Sequence, residues 1–250
     1  TPTARLGNYT QIFKNAVVVP DTDQGLDKAG RAREISYQAL KMAKKQKLDI
    51  EHRLLYNSPR EVGNSTTARL LAGVPTWLNS NVVKNDGTEA TGDGTDAATF
   101  GTLEPLTQGN FDTLLQTIWD SGGNPDTVYL SSAHMNVALG FTGNNNQRST
   151  IKAESERVVN HMDVYVTPWG TVEFVPSRLV AGLGNNLAQD YYVFACQSDM
   201  WKAAVLRPTK NVPLAKTGDN TKRQVVTELT LEACNEASSG MVMDLTATGA

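Results

Sequence analysis

The chain is 250 residues long with a mass of 27.1 kDa, enough for one large domain or two small ones around a buried core. Its composition, 40% hydrophobic and 20% charged, is that of an ordinary globular protein, and no stretch approaches the roughly eighteen uninterrupted apolar residues of a membrane span. With 23 Lys and Arg against 26 Asp and Glu, the net charge of -3 excludes a protein that is basic overall and wraps nucleic acid, although it leaves room for a local basic face. The two cysteines, Cys196 and Cys234, form no C-x-x-C pair and are too few for a disulfide framework, which fits a reducing cytoplasm. Thr1 stands where a Met is usual and no signal-like apolar run follows, so an upstream segment is expected to have been removed, by processing or by the choice of the expressed segment.

Tyr9 to Val19 is dense in aromatic and β-branched residues and predicts extended structure ended by Pro20 and Asp21. It is apolar on both faces and has no nearby hairpin partner, so it must pair with a distant segment or with another molecule. From Gly25 to Tyr56, Leu26, Ala29, Leu40, Ala43, Ile50 and Leu54 recur at helical spacing, which predicts one helix of roughly 48 Å. That rod would cross a compact globule of this length, whose diameter is about 46 Å. Its Lys and Arg, among them Lys28, Arg31, Lys41, Lys44, Lys45 and Lys47, outnumber its acids. Asn79 to Asn110, rich in Gly, Thr, Asp and Asn, predicts a long surface loop or a segment ordered only by its neighbours. Beyond it, Asn110 is the expected cap of a helix whose buried face is Phe111, Leu114, Leu115, Ile118 and Trp119, stopped by Gly122-Gly123-Asn124-Pro125. A short strand at Thr127 to Leu130 and a second helix, capped by Ser131 or Ser132 and ended by Gly140, follow. Val164 to Thr167 and Thr171 to Val175 read as a hairpin, and Tyr191 to Ala195 as an apolar strand. Val225, Leu229, Leu231 and Ala233 alternate with Glu228, Thr230 and Glu232, which predicts a long strand with one buried face, and Met241 to Leu245 a last short strand. The fold class is α+β, with one subdomain containing the long helix and the terminal strands and another inserted between them.

Motifs for chemistry are sparse. There is no phosphate loop, no G-x-S-x-G elbow and no H-E-x-x-H, and Gly182-Leu183-Gly184 lacks the third glycine of a dinucleotide fingerprint. His52, His134 and His161 lie far apart and predict no zinc site. Asp86, Glu89, Asp93 and Asp96 depart from the calcium-loop pattern, so a solvated loop is the expectation. No cofactor, metal or catalytic residue is predicted. The one enzymatic reading is an N-terminal threonine hydrolase with Thr1 as nucleophile, weakened by the Pro2 that follows. The basic helix, without aromatic interleaving, fits a solvated or intersubunit face better than a nucleic-acid surface.

Several segments resemble a known family. Arg5-Leu6-Gly7-Asn8-Tyr9-Thr10-Gln11-Ile12-Phe13-Lys14, followed by Asp27-Lys28-Ala29-Gly30-Arg31 and the long helix, is similar to tailed-bacteriophage major head proteins. So are Gly122 to Thr127, Asp163 to Val166, Leu206-Arg207-Pro208, Leu214 to Asp219, and Glu228 to Glu232 with Asn235-Glu236. The resemblance implies the Hong Kong 97-type capsid fold, with an N-terminal arm at 1–6, an extended β loop at 7–24, a peripheral domain with spine helix and long loop at 25–109, an inserted axial domain at 110–195, and a return to the peripheral domain at 196–250. It implies a structural protein and no enzyme: hexamers and pentamers that close into an icosahedral head in the host cytoplasm and the virion around double-stranded DNA bound without sequence specificity, with decoration, portal or scaffold proteins as further partners and no membrane. The missing Met then reads as maturation cleavage. The expected subunit-interface residues are Tyr9, Ile12, Phe13, Lys14, Val17, Val18, Val19, Arg31 and Lys41. Lys14 lies in the loop where some relatives of this fold form an isopeptide crosslink, which is not predicted here. The alternatives are an encapsulin-like nanocompartment shell, the Thr1 hydrolase, and a capsid-decorating or tail protein.

Overall fold

The computed structural model describes residues 6–26, 30, 33–141, 164–180 and 191–246. In chain order its main elements are β1 Gln11–Pro20, α1 Asp21–Gly25, α2 Glu34–Leu55, β2 Val82–Val83, α3 Gln108–Asp120, β3 Thr127–Leu130, α4 Ser132–Leu139, β4 Val164–Thr167, β5 Gly170–Pro176, β6 Val193–Cys196, β7 Trp201–Leu214, β8 Asn220–Ala233 and β9 Gly240–Val242.

The apolar segment near the start of the chain is β1, and its partner is distant in the same chain: it runs antiparallel to β8 from Gln11 opposite Leu229 to Pro20 opposite Asn220. β7 pairs with the other edge of β8, giving a three-stranded sheet in the order β1-β8-β7. Sequence periodicity misses β7, because Pro208 and Pro213 interrupt it. Both are tolerated on an edge strand, and the pairing with β8 shifts register between Val205 and Arg207 and again between Arg207 and Lys210. Strand alternation sends Phe13, Val17 and Val19 to the face that carries α2, where Phe13 packs with Leu71, Leu229, Ile50 and Leu54, and Val17 and Val19 pack with Ile35 and Met42. Gln46, buried on α2, donates its amide Nε2 to the carbonyl of Phe13 at 2.7 Å, and so covers part of the free edge of β1.

The helix expected over Gly25 to Tyr56 is shorter. Extended backbone at Leu26 ends α1, a positive φ of 86° at Gly30 turns the chain, and extended backbone at Arg33 precedes α2. The 22 residues of α2 span about 33 Å rather than the whole molecule.

The second sheet has six strands in the order β2-β9-β6-β3-β5-β4, with β2 parallel to β9, β3 parallel to β5, and the other pairs antiparallel. It takes β2 and β9 from outside residues 110–195, so the middle of the chain shares its sheet with the segments before and after it. α3 lays Phe111, Leu114, Leu115 and Ile118 on this sheet against Val128, Leu130, Phe174 and Val193. The cap of α3 is Thr107, not Asn110: the Thr107 hydroxyl accepts from the Asn110 backbone N–H at 3.2 Å. Trp119, expected on the buried face, is 53% exposed, because one further residue around the helix turns it off the apolar stripe. Ser131 caps α4, accepting from the His134 N–H at 3.2 Å. The expected hairpin is β4 with β5. A further cluster containing Leu55, Trp77, Phe194, Leu231, Met241 and Met243 joins the two sheets.

The loop expected after Asn79 is ordered by the chain itself. The Asp244 carboxylate, 1% exposed, accepts from the backbone N–H of Asn85 (3.1 Å), Gly87 (2.9 Å) and Gly101 (2.8 Å). A Cβ at Gly87 would lie 2.4 Å from Asp244 Oδ1, so the glycine is what lets the loop close on the carboxylate. Thr88 and Thr99 bridge the loop to itself, and Glu104 pairs with Leu245.

Candidate subunit interface

The outward face of the three-stranded sheet follows from register. Residues opposite one another in an antiparallel pair share a face, so Ile12, Lys14, Ala16 and Val18 of β1 lie beside Glu228, Val226, Gln224 and Lys222 of β8. Arg207, Lys210, Val212 and Leu214 of β7 complete that face. Ile12 is 49% exposed and Val18 56%. Phe13, Val17 and Val19 point the other way into the chain's own core, which accounts for their apolarity without a neighbouring subunit. Tyr9 is half-buried with the Arg60 guanidinium 5.7 Å from its ring centre. Lys14 and Lys41 are exposed, the Lys41 ammonium lying 5.7 Å from the ring centre of Tyr37. Arg31 lies outside the described residues.

The centre of the outward face holds an ion cluster that strand periodicity hides. Glu228, expected to be solvated, is 4% exposed. Its Oε1 accepts from the Thr10 hydroxyl at 2.8 Å and from Arg69 Nη2 at 2.6 Å, and its Oε2 accepts from Arg207 Nε at 2.7 Å. The Thr10 hydroxyl bond, followed by Arg207 and Arg69, holds the carboxyl below the usual glutamate range against the opposing effect of burial. Arg69 also donates Nε to the Thr10 carbonyl at 2.6 Å. Beside it, Asn8 donates Nδ2 to the Leu231 carbonyl at 3.1 Å and accepts from the Ala72 N–H at 2.9 Å. One cluster thus ties four segments together. In sequence only the conspicuous Arg69 and Glu228 could have suggested it, and nothing in their spacing pairs them.

Groups that would support chemistry are dispersed. His52 stacks on Tyr56 with ring centres 5.1 Å apart, and burial lowers its pKa. His134 is buried, its Nε2 3.2 Å from the Thr246 carbonyl. Thr1 and His161 lie outside the described residues. Burial pushes the Cys196 thiol up, while Cys234 is exposed. Asp93 and Asp96 accept from Thr91 and Thr95 of their own loop. Among the described residues no three His, Cys, Asp or Glu are grouped to hold a metal ion, and no helix is long and apolar enough to cross a membrane.

The family model for the SU10 major capsid protein matches residues 1–246. The major capsid protein of Escherichia phage Phieco32 is 24% identical over 275 residues, covering 96% of this chain and 76% of its own length. Among solved structures, the holo-SrpI encapsulin complex from Synechococcus elongatus superposes with a TM-score of 0.59 at 11% identity, over 96% of this chain and 75% of that one. Mycobacterium phage Bobi superposes with a TM-score of 0.57 at 11% identity, over 94% of this chain and 72% of that one. The fold is thereby the Hong Kong 97-type capsid fold that the sequence resemblance implied, and the encapsulin likeness is one of fold. The match along nearly the whole chain shows that it belongs to the SU10 major capsid protein family and is the major capsid protein of a tailed phage.

Proposed function

We propose that copies of this chain form hexamers and pentamers that close into an icosahedral head around double-stranded DNA, in the host cytoplasm and then in the virion. Decoration, portal and scaffold proteins would be its further partners, and no catalytic step is assigned to it. The observation that carries this reading is the outward face of the first sheet: exposed, apolar Ile12 and Val18 beside exposed Lys14, next to the ion cluster on buried Glu228. Within the expected interface set, Ile12, Lys14, Val18 and Lys41 are the exposed members among the described residues, and Tyr9 is half-buried. The first sheet with α2 takes the role of the peripheral domain, and the second sheet with α3 and α4 that of the axial domain.

The test is electron microscopy of purified protein with measurement of the enclosed material. Closed shells that protect nucleic acid from nuclease support the reading. Shells that hold a protein cargo and no nucleic acid favour the nanocompartment, and a monodisperse 27.1 kDa monomer under every condition overturns both.

A further inference from the structure

The net charge of -3 hides a strong division. Residues 34–55, which are α2, carry five Lys or Arg and three Asp or Glu, and residues 201–233, which span β7 and β8, carry six Lys or Arg and three Asp or Glu. Residues 80–130, which contain the pinned loop, α3 and β3, carry eight Asp or Glu and one Lys. The first sheet with its helix is therefore basic, and the body built on α3 is acidic.

Among the described residues, each half presents an exposed patch of its own sign. On α2 the inner positions Ile35, Ala39 and Gln46 face the first sheet, so Lys41, Lys44, Lys45 and Lys47 all lie on the outer side and are exposed. None of the four has an ion-pair partner among the described residues. Leu40 and Leu48 are exposed between them and Tyr37 lies on the same helix, which adds apolar surface to the lysines that a protein partner could bury. On the acidic body the end of α3 exposes Trp119 and Asp120. The loop that follows α3 carries exposed Asp126, which accepts from the Ser198 N–H at 2.8 Å and so has exposed Asp199 beside it, and Asn124 donates its N–H to Gln197 Oε1 at 3.1 Å. An exposed tryptophan followed by an exposed aspartate suits lysine-rich helical surface, because lysine stems cover the ring while their ammonium groups reach the carboxylate.

We propose that copies of this chain associate head to tail, the lysine face of α2 on one copy meeting the Trp119–Asp120 end of α3 on the next. The two patches differ, so the contact is heterologous, and repetition of one such contact by rotation closes a ring. The occupant is a second copy rather than DNA, because exposed Leu40 and Leu48 would gain nothing from phosphates, whereas patches of opposite charge on one chain complement each other. This rests on the reading that the chain builds a shell.

The experiment compares four full-length chains by sedimentation velocity and microscopy across a salt series: wild type, Lys44→Glu with Lys45→Glu, Asp120→Lys, and all three substitutions in one chain. Circular dichroism establishes that each is folded. Wild-type assembly is expected to weaken as salt rises. The two partial variants are expected to lose at least tenfold in assembled fraction at the lowest salt, and the combined chain, with the signs exchanged, to recover most of it. Unchanged assembly by the Lys44→Glu, Lys45→Glu chain, or no recovery in the combined chain, overturns the contact while leaving the shell reading intact. Normal shells that have lost their nucleic acid also overturn it, by assigning the lysines to DNA. If wild type forms no shells, the shell reading fails, and absence of salt-sensitive self-association in that same sample overturns the contact as well.

Discussion

Glu228 shows how a residue can be placed correctly on a strand and still be misjudged. Alternation puts it on the side of β8 opposite Val225 and Leu229, and a glutamate there is ordinarily solvated. Thr10, Arg69 and Arg207 instead close over it from three other segments, and contacts of that separation leave no periodic trace. Since the folded state depresses its pKa, the carboxylate stabilises the fold above the unfolded glutamate value of about 4.3, and that contribution is lost as pH falls through the lower folded value. Glu228→Gln should therefore cost roughly 1–3 kcal/mol at neutral pH, where two arginines lose a charged acceptor. The same substitution should flatten the fall in stability below about pH 4. Urea midpoints of both proteins from pH 7 to pH 3 check it; a constant difference across that range would mean that Glu228 acts by packing alone.

At the scale of elements, what the sequence made legible was periodicity, and what it hid was interruption. The inward face of β1, the buried stripe of α3 and the β4–β5 hairpin follow from spacing. The start of α2 does not, because the apolar repeat continues through Leu26 and Ala29 while the backbone breaks at Gly30 and Arg33. β7 was invisible because prolines argue against a strand unless it is known to be an edge. The interface set inherited the same limit: apolar character alone could not separate Phe13, which faces α2, from Ile12, which faces outward. That separation is open to measurement. Phe13→Ala should lower unfolding free energy by about 3–5 kcal/mol, since it empties a site among Leu71, Leu229 and Ile50. Ile12→Ser should stay within about 0.5 kcal/mol of wild type in the unassembled protein yet reduce shell yield. Chemical denaturation beside particle counting reads both, and the reverse pattern would exchange the two faces of β1.

For the whole molecule, the question is whether two sheets make two independently stable bodies. The sequence suggested two subdomains, and the charge division sharpens that suggestion, yet the packing argues for one cooperative unit. Leu55 at the end of α2 and Leu231 of β8 share a buried cluster with Phe194 of β6 and Met241 of β9, so neither sheet can lose its fold without exposing the apolar surface of the other. The Tyr192 hydroxyl donates to the Leu55 carbonyl at 2.9 Å across the same seam. A joint of this kind makes a rigid subunit, which suits a shell whose curvature must be set by contacts between copies rather than by bending within each one. Calorimetry of the unassembled protein should show a single transition with equal calorimetric and van't Hoff enthalpies. Leu231→Ala, at a cost of about 2–5 kcal/mol, should shift that one transition downward without splitting it. Two resolved transitions in the wild type would mean that the sheets fold separately, and shell curvature could then arise from a hinge at the Leu55–Leu231 seam.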